Sequence, residues 1–191
     1  MKQYLDVLHD ILVNGREKES GRVNMPNTIG LSRATILMDD VYKNFPLLTT
    51  KKMFLRGIVE ELLWFLRGEI NIKSLVNKGV NIWNGDAYRW YLTKHTLTSF
   101  NSATNDYRFD ALKPYTMDEF IDLIKNDKLC ETIIEDYKLG DLGKVYGYQW
   151  RNQNGVDQIK DIYEDLKKNP YGRYKILDAW NKKIGRASCR E

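Results

Sequence analysis

A chain of 191 residues with 42% hydrophobic and 29% charged side chains has the balance of a soluble globular protein, long enough for one domain with or without an insertion. Its apolar stretches are all shorter than the roughly 18 residues of a membrane span, and MKQYLDVLHD at the N-terminus carries acids and lacks the continuous apolar run of a signal peptide. The cysteines, Cys130 and Cys189, make no disulfide framework, no Cys/His cluster has metal-ligand spacing, and a net charge of +4 suits a solvated surface or a basic site for an anionic ligand. The expected compartment is therefore the cytosol, and no membrane partner or metal is expected. Nucleic acid is a weak candidate, because no long basic run or RNP-like aromatic motif is present.

Residues 1–14 predict an amphipathic helix, with Tyr4, Leu5, Leu8, Ile11 and Leu12 on one stripe and Gly15 as the stop. The β-branched and apolar run 28–38 predicts a strand. After Phe45-Pro46 a helix is expected over about 51–66, closed by Gly68, and a short one over 71–78, closed by Gly79. The stretch 86–137 is polar and tyrosine-rich, which predicts an inserted subdomain lying mostly on the surface, with a helix at 117–126. A glycine-rich turn then leads to a helix over 156–168 and a strand over 174–180. Helices and strands in this alternation predict a mixed α/β or α+β fold.

Two stretches invite chemistry. In EELLWFLRGE (60–69), Glu60 falls on a solvated helix face with Arg56 one turn away. Glu61 has Ile58, Leu62 and Phe65 as helical neighbours, and a carboxylate that loses hydration on an apolar face suits proton transfer. The competing reading places Glu61 at the edge of the stripe, reaching water, and periodicity alone favours it. In LGDLGKVYGYQWR (139–151), glycines bracket Tyr146, so backbone can approach a ligand closely beside its hydroxyl. An ordinary turn leading into Trp150 explains the same spacing. Arg22 and Arg173, each in a loop-like setting, suit phosphate binding or simple solvation.

Taken in order, these segments are more specific than any one of them. MKQYLDVLHDILVNG, FPLLTTKK, EELLWFLRGE with Asn71-Ile72, NIWN, GDLGKVYGYQWR, DQI and NPYGRYKILDAWN together resemble the thymidylate synthase family from the N-terminus to Asn181, apart from the insertion. The resemblance implies a large twisted sheet with flanking helices, a homodimer with shared sites, and reductive methylation of dUMP to dTMP with 5,10-methylenetetrahydrofolate as co-substrate. It assigns proton shuttling to Glu61 and places Tyr146 near the nucleophile and nucleotide. Trp83 and Lys51 fall on the folate side, Arg22 on the nucleotide phosphate, and Arg173 on the phosphate of the partner subunit.

The sequence also departs from the family pattern. The phosphate loop reads Arg22-Val23-Asn24-Met25-Pro26-Asn27-Thr28, Tyr174 replaces a second arginine, Phe54 a histidine, and Lys144 the proline before VYG. A hydroxymethylase of dUMP or dCMP with the same fold is the nearest alternative, and a non-catalytic nucleic-acid-binding protein a more distant one. The family's nucleophile lies in a Pro-Cys-His motif, which is absent here. Residues 184–191 (IGRASCRE) resemble one reading frame of a sequencing-adapter oligonucleotide and are expected to be a non-native tail, so Cys189 is not expected to be the nucleophile. The chain as written is expected to be inactive.

Overall fold

A computed structural model describes residues 2–20, 26–101, 106–107, 113–126 and 137–180. The chain divides into two compact units, Met1–Phe54 and Leu55–Glu191.

In the first unit, helix α1 (Lys2–Asn14) ends where predicted, with Gly15 N donating to the Ile11 carbonyl at 2.9 Å. Strands β1 (Arg16–Lys18) and β2 (Thr28–Gly30) pair antiparallel, Glu17 opposite Ile29. The strand predicted over 28–38 thus stops at Gly30. Farther on, the Gln3 side chain takes the place of a neighbouring strand: its amide donates to the Leu37 carbonyl at 3.1 Å and its oxygen accepts from Leu37 N at 2.8 Å. Backbone groups need partners, and a side-chain amide supplies both kinds.

The second unit holds the core. It contains α2 (Leu55–Leu66), α3 (Lys73–Asn77), α4 (Asn84–Ser99), the short ladder of β3 (Phe100–Asn101) with β4 (Asp106–Tyr107), α5 (Met117–Lys125), α6 (Tyr146–Asn152) and α7 (Gln158–Lys168). Helix α2 closes at Gly68, whose φ of 72° is open to glycine at little cost, with Gly68 N bonded to the Phe65 carbonyl and Glu69 N to that of Trp64. Helix α5 carries a capping box, Thr116 reciprocating with Glu119, and the hydrogen bonds from Thr116 hold the Glu119 carboxyl below its usual value. Asp157 caps α7 by accepting from Lys160 N.

Helices and antiparallel strands together make the mixed class the sequence predicts. Among the described residues the strands form two short ladders, not the large twisted sheet expected from the resemblance. The strand expected over 174–180 is also not found there. Instead Gln158 donates to the Asp178 carbonyl and accepts from Asp178 N, and Gln153 donates to the Trp180 carbonyl. Side chains again satisfy the backbone where a ladder was predicted.

Described residues of the stretch 86–137 contribute to the core. Ala87, Tyr91, Phe120, Ile124 and Tyr137 are buried with Trp64, Ile72, Leu75, Val76, Val80, Leu142 and Val145 in one core. Tyr88 and Tyr91 enter with backbone partners for their hydroxyls: Tyr88 donates to the Tyr115 carbonyl at 2.8 Å, and Tyr115 N donates to the Tyr91 hydroxyl at 3.0 Å. No helix among the described residues is long and apolar enough to cross a membrane.

Candidate active site

Three of the residues singled out in the sequence come together in the second unit. Glu61 lies in the middle of α2, Trp83 immediately before α4, and Tyr146 at the first position of α6. The Trp83 indole N–H donates to Glu61 Oε1 at 2.7 Å. A hydrogen bond to a charged acceptor is shorter and stronger than a neutral one, so it fixes the direction of the carboxylate. The Tyr146 ring stands edge-on to Trp83, with centroids 6.2 Å apart.

Phe65, one helical turn after Glu61, is the hub of this cluster. Its ring meets Trp83 at 6.1 Å, Tyr146 at 5.3 Å and Trp150 at 5.9 Å, each edge to face. Such close assembly requires α6 to approach α2 closely, and Gly147 permits it. A Cβ on Gly147 would lie 2.8 Å from the Phe65 carbonyl oxygen and 2.9 Å from its Cα. Glycine follows Tyr146 in the sequence because no side chain fits there.

The environment of Glu61 differs from the predicted one. Ile58 and Leu62, its expected apolar neighbours, are 43% and 48% exposed. Glu61 is half-buried, between Phe65 one turn away and the Trp83 indole. Glu60, predicted on a solvated face, is half-buried, and its carboxylate pairs with Lys78 just after α3.

The other predicted site residues are not joined to this trio by the described contacts. Lys51 is exposed in the first unit, Arg173 is exposed in the segment after α7, and Arg22 and Cys189 lie outside the described residues. Tyr174 is 92% exposed. Lys144, at the family's proline position, directs its ammonium over the Tyr148 ring, and its carbonyl accepts from the Gln149 amide at 2.9 Å. The sequence offers Phe65 only as a neighbour of Glu61. Its spacing, one turn from the glutamate, was the available signal, but its ring partners are remote in sequence.

A carboxylate held by an indole N–H, beside a phenol and an aromatic wall, is equipped to accept and return a proton next to a planar ligand. The thymidylate synthase family profile matches residues 2–188 of the chain. The chain belongs to the thymidylate synthase family.

Relatives with the name thymidylate synthase include that of Mesoplasma florum, 39% identical over 183 residues, covering 95% of this chain and 55% of the relative. That of Malacoplasma penetrans is 42% identical over 182 residues, with 95% and 55% covered. That of Mycoplasma genitalium is 39% identical over 194 residues, with 99% and 59% covered. The chain thus spans little more than half the length of these relatives.

Proposed function

We propose that the polypeptide, continued to the length of its relatives, is a cytoplasmic homodimeric enzyme that methylates dUMP at C5, with 5,10-methylenetetrahydrofolate as donor of the carbon and the hydride. The single observation that carries this reading is the Glu61 carboxylate bonded to the Trp83 indole beside Tyr146. Family membership supplies the reaction class, and this cluster supplies residues able to serve it.

In this reading Glu61 accepts and returns protons around the pyrimidine O4, and the indole bond keeps its oxygen in place while it does so. Tyr146 orders the nucleotide side. The exposed edge of the aromatic cluster suits a flat heterocycle, so Trp83 offers its ring to the folate. Lys51 serves the folate's anionic tail, and Arg22 and Arg173 serve the nucleotide phosphate, Arg173 across the subunit boundary.

The test is to extend the gene to the relatives' length and supply dUMP or dCMP with 5,10-methylenetetrahydrofolate. Formation of dTMP with an equal amount of dihydrofolate is the expected result. A hydroxymethylated product released with tetrahydrofolate would assign the hydroxymethylase reaction instead. Salt-sensitive RNA binding with no nucleotide competition would overturn both readings.

A further inference from the structure

Asn71 occupies the junction between α2 and α3, and its polar atoms each engage a different part of the second unit. Its carbonyl accepts from the Trp64 indole at 2.9 Å. Its side-chain amide donates to the Leu139 carbonyl at 2.9 Å and to Asp141 Oδ1 at 2.8 Å. Its side-chain oxygen accepts from Lys73 N at 2.9 Å, at the start of α3. Backbone bonds flank the contact on both sides: Ile72 N to the Gly140 carbonyl at 3.0 Å, and Leu142 N to that of Ile70 at 2.9 Å. A Cβ on Gly140 would meet Asn71 Oδ1 and Ile124 Cδ1 at 3.1 Å each, so the loop lies close against the amide.

Both ends of this contact lead to the site. Trp64 is one turn from Glu61 on α2, and its ring lies 6.0 Å from that of Trp83. The loop held by the amide runs through Leu142 and Val145, both buried, into Tyr146. We propose that Asn71 is a positioning residue for the Glu61–Trp83–Tyr146 cluster, locking through Asp141 and Leu139 the loop that delivers Tyr146 to the helix that carries Glu61. The role requires a donor and an acceptor on one short planar fork. Aspartate lacks the donor, alanine lacks both, and glutamine sets the fork one methylene too far out. This assignment rests on the proposed function only in taking that cluster as the reaction site.

An exchange of partners tests it. Asn71→Asp sets two carboxylates against each other and strips the Leu139 carbonyl of its donor. Lys138 and Tyr137 are the further titratable groups that bear on Asp141. The double variant Asn71→Asp/Asp141→Asn returns one amide and one carboxylate in reversed positions. In the 191-residue chain, Asn71→Asp should keep its helical far-ultraviolet circular dichroism at neutral pH but lose much of the near-ultraviolet signal of the aromatic cluster. Acid should restore that signal, because two facing carboxyls then share a proton. The double variant should show it at neutral pH.

In the chain extended to family length, Asn71→Asp should lower kcat on the order of tenfold to a hundredfold with KM for dUMP little changed, again with rescue in the double variant. A native aromatic spectrum in Asn71→Asp at neutral pH would overturn the proposal, as would a double variant no better than the single one. If Asn71→Asp does not fold at neutral pH, the double variant decides: a native spectrum supports the lock, and an unfolded one overturns it. An extended wild-type protein that ignores dUMP, with the spectral results as expected, would count against the proposed function and leave the lock standing.

Discussion

Glu60 and Glu61 are adjacent on α2 yet differ in partner, Lys78 for one and the Trp83 indole for the other. In the family-length protein, Glu61→Gln should cut turnover at least on the order of a hundredfold with the fold intact, since an amide cannot accept and return the proton. Glu60→Gln should change turnover little, because its carboxylate pairs with Lys78 and not with the Trp83 indole. Equal small effects in a steady-state assay would remove Glu61 from the mechanism. Asp141 allows a second prediction. Burial pushes its carboxyl above the ordinary value of 3.8, against the hydrogen bonds of Asn71 and Lys138, which lower it. The folded state therefore holds this proton more tightly than the unfolded chain. The stabilising contribution is complete below about pH 3.8 and declines as pH rises through the raised folded value. Urea denaturation should show wild type losing stability relative to Asp141→Asn over that window as pH rises, with a plateau beyond it. The opposite slope would mean that the partners outweigh burial.

The glycine after Tyr146 sets how closely α6 lies on α2. Gly147→Ala places a methyl against the Phe65 backbone, which cannot swing aside as a flexible side chain would. It should destabilise the second unit by roughly 1–3 kcal/mol, as overpacking does. Weaker quenching between Trp83 and its aromatic neighbours, read by fluorescence, would accompany the loss. Unchanged stability and emission would show that the two helices yield without cost. The elements that sequence pattern identified well include α1, by its stripe and Gly15, and α2, by its close at Gly68; α5 and α7 were expected too, and the structure adds their caps, Thr116 with Glu119 and Asp157. Helix α4 escaped because NGDAYRWYLTKHTLTS has no apolar stripe, its buried Ala87 and Tyr91 being set among polar residues. Helix α6 escaped because glycines at Gly143 and Gly147 read as a turn, although Gly147 serves helix packing. The two strand predictions that miss, one overlong and one without a strand, share one cause. Residues 28–38 and 174–180 have strand composition, but Gln3, Gln153 and Gln158 partner their backbone, and no local pattern reports such distant pairing. For the site, Glu61, Trp83 and Tyr146 were legible through motifs, whereas the Trp83–Glu61 bond joins residues 22 positions apart that only the fold brings together.

At the scale of the whole molecule, Arg173 poses the question of what lies beyond the Glu61–Trp83–Tyr146 cluster. Arg173 is exposed in the segment after α7, on the same unit as Glu61 yet outside its described contacts. The adjacent residue is Tyr174, 92% exposed, so a phosphate grip of the kind the resemblance implies would rest on one guanidinium. A guanidinium offers a rigid fork of donors that matches a phosphate, and a hydrogen bond to a charged group contributes roughly 1.5–3 kcal/mol. If Arg173 serves a phosphate held by a second copy of the chain, Arg173→Ala in the family-length protein should weaken dUMP binding by about that amount. Its kcat should fall much less, because no described contact joins Arg173 to the Glu61–Trp83–Tyr146 cluster. Shared sites make a sharper demand. An Arg173→Ala subunit retains its own nucleophile, and a subunit mutated only at that nucleophile retains Arg173. Mixed in equal amounts, the two should form dimers in which one of the two sites is assembled entirely from intact parts. Activity should then rise above that of either parent as subunits exchange, while each parent incubated alone stays low. Mixtures that exchange subunits, verified by a mass-tagged copy, yet gain no activity would place Arg173 in its own subunit's site or in none.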